Sequence, residues 1–421
     1  MSSNVVTRAV RALLLLLLLL ATTVTIAPEW PVFQAERHRL NSLVGLREFD
    51  FLSWFGEALI SKAIGAASGD QNYLDEVEQK ALVLHYLEQI GEIRRLESEI
   101  ERVYANPEVA DPEEAAAGLH EALLATRAAA SRLQPTAEAI VQGQIASVLA
   151  EEGFGFLGQV FPPVQMRMTP LPLVLIVSPR ERIEAIYNVP LDHGLSVVTQ
   201  EELESAIDQQ LDLSSLVVPI GGMGFYPSMI IETPNAAFLM DVVAHEWAHH
   251  WLTFQPVGVR YLASPEMRTI NETVASIVGA EVGASVVARF YPELVVPPAP
   301  ATTEQPLPDE PPAFDYRAEM AETRRRVDEL LAAGQVEEAE AFMEARRVFF
   351  VENGYQIRKL NQAYFAFYGA YADTPGAAGE DPVGPAVVAL REQSASLHEF
   401  MRRIAPITSF AELQAELDRT R

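Results

Sequence analysis

Residues 241–251 read Asp241-Val242-Val243-Ala244-His245-Glu246-Trp247-Ala248-His249-His250-Trp251, and the five from His245 to His249 decide how the chain is read. Two histidines four apart on a helix lie about 40° apart around its axis, so both rings can address one ion. Glu246, beside the first histidine, can reach a water on that ion. Zinc lowers the pKa of such a water, and the glutamate takes its proton. The pattern therefore suits a machine that makes hydroxide at neutral pH, with one Zn2+ per chain. With eight histidines in 421 residues, chance alone gives the pattern in about one such chain in a hundred, so the context has to carry part of the argument. Thr233-Pro234 predicts a helix start with proline at the first helical position. No breaker follows from Ala236 to Phe254, and Phe238, Leu239, Val242, Val243, Trp247 and Trp251 predict a buried helix. Polar groups are costly there without a purpose. The plain alternative is that both histidines are satisfied by hydrogen bonds in the core. His250 points about 100° away from His249 and reads as supporting or structural.

A catalytic zinc needs a third protein ligand and an open position. The next helix is predicted from Ser264-Pro265, and on it Glu272 is the best candidate. Ala275, Ser276, Gly279 and Gly283 follow at +3, +4, +7 and +11, a stripe of very small side chains along which another helix can come close. Glu281 is nine residues on, about 180° round the helix, and reads as solvated or ion-paired. Glu266 is the remaining alternative ligand. Asn361, Tyr364, Tyr368 and Tyr371 share one predicted helical face, from which a tyrosine, Tyr371 by preference, could stabilise the oxyanion. An aromatic core stripe explains the same spacing.

The run His245-Glu246-Trp247-Ala248-His249 with Asn271-Glu272-Thr273-Val274-Ala275-Ser276-Ile277-Val278-Gly279 resembles the gluzincin metallopeptidases, whose third ligand is a glutamate in an Asn-Glu pair on the following helix. More narrowly it is similar to a bacterial family of predicted aminopeptidases with an Asn-Glu-Ser-Phe-Ala-Thr-Phe-Val-Gly run. The match covers roughly Met240 to Gly283, with a fainter likeness at Leu360-Asn361-Gln362-Ala363 and Tyr371. The resemblance implies a zincin fold, zinc and peptide-bond hydrolysis, with Asn271 beside the metal ligand. Two departures matter. Some gluzincins place an acid four residues after the glutamate ligand, where it orients a histidine. Here that position is Ser276, and Asp241, one turn before His245, is the alternative. Many gluzincin aminopeptidases grip the substrate's amino group with a glutamate in a Gly-x-Met-Glu-Asn segment. The loosely similar Gly221-Gly222-Met223-Gly224-Phe225 has glycine there, which leaves endopeptidase action open. That segment reads as a substrate-binding rim or simply as a turn at a sheet edge.

Outward from these motifs the chain is predicted to be α+β and mostly helical. A zincin-like core over residues 161–291 carries a small sheet at about 165–232, built from Leu171–Val177, the alternating Ile183–Val189, Leu216–Ile220 and Met229–Ile231. Residues 31–160 read as helices over Leu43–Ala67, Asp70–Tyr104 and Pro112–Leu149, rich in helix formers. Residues 292–313 form a proline-rich loop. Residues 314–421 form a C-terminal helical region, with helices over Phe314–Val351 and about Tyr355–Ala372 and two more to finish.

Composition narrows the function. The chain has 31 Lys and Arg against 58 Asp and Glu, a net charge of −27, a field that repels nucleic acid. It has no cysteine, so any metal is held by His, Asp or Glu. Arg8 and Arg11 precede an uncharged run from Ala12 to Ala27, with leucine at every position from Leu13 to Leu20. This predicts a single-pass N-terminal membrane anchor within residues 1–30, with the rest outside the cytoplasm. The alternative is a signal peptide cut after Ala27 and a secreted product. The expected partners are a peptide or protein substrate and, through that run, a membrane. Two rival functions stay open: an anchored protein with a purely structural zinc, and a zinc hydrolase of non-peptide amides or esters. Oligomeric state and side-chain preference are not legible.

Overall fold

Two helices that cross at a line of glycines hold the centre of the molecule. The computed structural model describes residues 35–105, 109, 111–295, 314–369 and 382–419. The proline-rich segment, Tyr371 and the whole N-terminal run lie outside these residues. The chain divides into two units, Met1–Leu46 and Arg47–Arg421. The first is described from residue 35 and contains one helix, α1 (Ala35–Val44). Apart from Gly45, which also belongs to the first, the residues described below belong to the second.

It opens with α2 (Phe51–Ser68), α3 (Glu76–Ala105) and α4 (Pro112–Leu149), where α3 and α4 pack as a long pair. The helix predicted from Leu43 to Ala67 is interrupted: Gly45 has φ +58° and the chain restarts at Phe51, where Asp50 caps the Ser53 N–H. A two-residue hairpin follows, β1 (Gly155–Phe156) with β2 (Gln159–Val160). The remaining strands are β3 (Met166–Thr169), β4 (Leu173–Pro179), β5 (Tyr187–Leu191), β6 (Leu213–Val218), β7 (Gly222–Met223) and β8 (Ser228–Ile231), with helix α5 (Val197–Leu211) between β5 and β6.

Instead of the single predicted sheet there are two, each of three strands. One is antiparallel in the order β5-β4-β6, with Ile176 opposite Leu216 and Leu175 opposite Val189. The other has the order β3-β8-β7, β3 parallel to β8 and β7 antiparallel to it. The predicted strand over Ile183–Val189 begins late, because residues 181–186 turn on Ser178, whose Oγ accepts the Glu184 N–H. Buried carboxylates join helices to strands, as buried charge requires a partner. Glu138 of α4 accepts the Met168 N–H of β3 at 2.8 Å. Glu204 of α5 accepts the Val217 N–H at 2.6 Å and pairs with Arg358.

The two central helices are α6 (Ala236–Thr253) and α8 (Pro265–Phe290), joined through a short turn of helix, α7 (Pro256–Val259). Asn235, not Thr233, caps α6 by accepting the Phe238 N–H, while Thr233 Oγ, two residues before it, accepts the Asn235 N–H. Ser264 caps α8 and Pro265 is its first residue. By length and composition α8 is apolar enough to cross a membrane, but its apolar face is buried: Ile270, Val274 and Val278 share one core with Leu239, Val243 and Trp247 of α6 and Ile140 and Ile145 of α4. Strands β7 and β8 pack on α6.

The C-terminal part holds α9 (Tyr316–Ala332), α10 (Val336–Glu352), α11 (Gln362–Tyr368), α12 (Val383–Glu392), α13 (Leu397–Ile404) and α14 (Phe410–Asp418). The helical stretch predicted over Phe314–Val351 breaks at Gly334, φ +74°. The helix predicted from Tyr355 shrinks to α11, because residues 355–361 are irregular and Arg358 and Lys359 reach Glu204 and Asp208 from there. The described residues are thus mostly helical α+β.

Candidate metal centre

Helix α6 places His245 and His249 one turn apart, and α8 brings Glu272 to meet them. The glycine stripe makes this approach geometrically allowed. A Cβ on Gly279 would stand 2.9 Å from the Asp241 carbonyl oxygen and 3.1 Å from His245 Cβ, and one on Gly283 would stand 2.8 Å from Asp241 Cα. Atoms do not sit that close, so any side chain there would push the carboxylate away from the histidines. His245 Nε2 and His249 Nε2 are 3.0 Å apart, and Glu272 Oε2 lies 3.7 Å and 3.5 Å from them. Three atoms bound to one zinc at about 2.0–2.1 Å and tetrahedral angles stand about 3.3 Å apart. Glu272 Oε2 is buried without a hydrogen-bond partner, a costly state for a carboxylate oxygen that a metal ion would relieve. These three side chains fit zinc.

The surroundings set tautomer and charge. His249 Nδ1–H donates to Asn271 Oδ1 at 2.8 Å, which turns Nε2 toward His245 and Glu272 as the nitrogen a metal would use. The Tyr261 hydroxyl donates to Glu272 Oε1 at 2.6 Å. Without a metal, burial pushes His245 down to about 3, with His249 repelling a second proton and Glu272 opposing. Burial would lower His249 too, but the Glu272 carboxylate outweighs it and holds that ring up at about 9. Burial would raise Glu272, but His249 foremost holds it down at about 2. The histidine pair thus carries one proton, on His249, against one carboxylate.

Glu246 lies beside this triangle. It is buried, its Oε2 has no hydrogen-bond partner, and burial pushes it up to about 7, with His249 lowering and Glu272 raising it. Its wall is backbone. A Cβ on Gly222 would stand 2.9 Å from Glu246 Cδ, and one on Gly224 would stand 3.4 Å from Oε2. The Gly221–Phe225 segment is therefore more than a turn at a sheet edge: β7 lies across the glutamate. His250 fixes that segment from below, donating from Nε2 to the Phe225 carbonyl at 2.6 Å.

The triangle and Glu246 line a cleft of 540 Å3. A second cavity of 700 Å3 shares Gly222, His245 and Glu246 with it and continues past Asp241, Ser276 and Ile277. Asp241 and Ser276 thus border that second cavity, while Asn271 is the group bonded to a ligand histidine. Glu281 faces away and holds Arg391 through two bonds of 2.7 and 2.8 Å. Glu266 is exposed at the helix start. Of the predicted tyrosine face, Asn361 caps α11, Tyr364 packs in the core near Tyr316, and Tyr368 borders the second cavity. Tyr371 lies outside the described residues. Tyr261 escaped sequence reading: it stands in a turn with no periodic pattern, and only the reach of Glu272 selects it.

Compared with known proteins, the chain matches no family profile, no curated protein and no solved structure. The likeness to gluzincins rests on the residues quoted above.

Proposed function

We propose that the protein is a zinc metallopeptidase that hydrolyses peptide bonds with Glu246 as general base, on a zincin-like core. The observation that carries this is a buried, unpartnered carboxylate held by a glycine wall beside a His/His/Glu triangle, both on one cleft. A structural zinc alone gives no reason for Glu246, whose burial without a partner costs about 1–3 kcal/mol or more. When bound, zinc would polarise the scissile carbonyl and acidify a water there. His245, His249 and Glu272 would hold it. Asn271 fixes the His249 tautomer, and Tyr261 keeps Glu272 in place. Glu246 accepts the proton of the attacking water and hands it to the leaving amine. Cavities on both sides of Glu246 fit an extended chain, and the absence of an acid in Gly221–Phe225 favours internal bonds over amino-terminal ones. The run Ala12–Ala27 would hold this machinery at the outer face of a membrane.

Glu246→Gln tests the reading. It should keep one zinc per chain and lose about 10²- to 10⁴-fold in peptide hydrolysis, because an amide of the same shape cannot accept a proton. An active Glu246→Gln protein would sink the mechanism.

A further inference from the structure

The cleft is not uniform along its length. Among the described residues that line it, Arg268 is the only Lys or Arg, and the only carboxylates are Glu246 and Glu272, both part of the machinery above. Arg268 lies four residues before Glu272 on α8, on the same face. Its guanidinium stands 5.9 Å from the centre of the Tyr261 ring, the residue that bonds Glu272. Arg268 also lines an adjoining cavity of 270 Å3, which shares Asn188, Tyr261 and Leu262 with the cleft and carries a second guanidinium, Arg324, ion-paired with Asp328 at 2.9 Å. The acid of that cavity, Glu184, is bonded to Arg182 at 2.6 Å. The arm of the cleft that joins this cavity thus carries the Arg268 guanidinium, in a chain of net charge −27.

From this juxtaposition we infer that Arg268 selects peptides carrying a carboxylate on its side of the metal centre, either the C-terminal carboxylate or an acidic side chain. A guanidinium fork matches a carboxylate with two parallel bonds. The rest of the molecule limits how acidic the substrate is. The overall negative field reaches about 8–10 Å into solution at physiological salt and repels polyacidic chains. The fit is to a peptide with a single carboxylate close to the cleaved bond.

This inference rests on the peptidase reading, so its test is made by binding as well as by cleavage. The zinc-loaded full-length Glu246→Gln protein is titrated with peptide pairs that differ only in a free or amidated C-terminus, or only in Glu against Gln near it. The carboxylate member of at least one pair should bind about tenfold tighter. Adding Arg268→Ala should remove the difference, and Arg268→Gln, which keeps size and loses charge, should do the same with zinc content unchanged. Discrimination by the first pair alone assigns the C-terminal carboxylate, and by the second alone a side chain. In the active enzyme the same substitution should raise KM for the carboxylate peptide more than for its amide, so that the preference between the two is lost. Equal binding within both pairs, or a difference that survives both Arg268 variants, overturns the inference. Selective binding without any cleavage by the unmutated enzyme would instead overturn the peptidase reading and leave the inference standing.

Discussion

At the scale of single residues, the site is a balance of one proton and one carboxylate. His249 holds its proton up to about pH 9 because Glu272 is beside it, and a metal ion must displace that proton. His245 is already neutral above about pH 3 and Glu272 ionised above about pH 2, so neither adds a pH dependence near neutrality. Apparent zinc affinity should therefore rise with pH, about tenfold per unit between pH 6.5 and 8.5. Chelator competition across that range measures it, and a flat profile would show that the proton is elsewhere. Asn271→Ala frees the His249 ring and should weaken zinc about 10- to 100-fold, with folding little changed. Glu281→Gln should leave metal content untouched, since that side chain serves Arg391 on the far face.

At the scale of elements, the contact of α6 with α8 is set by what is missing from it. Alanine is better than glycine in a helix by about 1 kcal/mol, yet at position 283 its Cβ would meet backbone atoms of Asp241 at 2.8 Å. Backbone cannot rotate aside, and overpacking of this kind costs about 1–3 kcal/mol. Gly283→Ala should thus lower Tm and zinc affinity together, against its propensity. The same two helices show what a sequence can reveal. The histidine spacing, the small-residue stripe and the Ser264-Pro265 cap are local patterns; the structure has helices at both places and brings Glu272 within 3.7 Å of both histidines. The start of α6 lies two residues later than the Thr233-Pro234 pair predicts, because Thr233 and Asn235 are both competent caps and only the strand before them decides. The irregular 355–361 segment is illegible for another reason. Its conformation is imposed by Glu204 and Asp208, about 150 positions away in the chain. Tyr261 belongs to that second kind as well.

At the scale of the whole molecule, zinc would be the tie between α6 and α8, binding a carboxylate oxygen that no hydrogen bond satisfies. A ligand present at a thousand times its Kd stabilises the folded state by about 4 kcal/mol, and in a chain of this size each kcal/mol moves Tm by about 2 °C. Chelation should lower Tm by several degrees in the unmutated protein and by much less in Glu272→Gln; equal melting with and without chelator would argue against a bound metal. The cellular proposal is tested separately. The full chain should fractionate with membranes and be digested by protease added from outside. Recovery only as soluble extracellular protein starting near Pro28 would favour a cleaved signal.

The glycine wall against Glu246 has a consequence for inheritance. Every sense codon one base away from a glycine codon encodes either glycine or a residue with a Cβ, and at position 222 a Cβ collides with the carboxylate itself. Position 222 therefore has no neutral neighbours in sequence space. A Cβ on Gly221, one residue earlier, would meet the tip of Phe238 at 3.5 Å and Val242 at 4.0 Å, ordinary contacts, so that position is free to drift. In a library randomised over 221–224 and selected for activity, survivors should vary at 221 while retaining glycine at 222 as strictly as glutamate at 246.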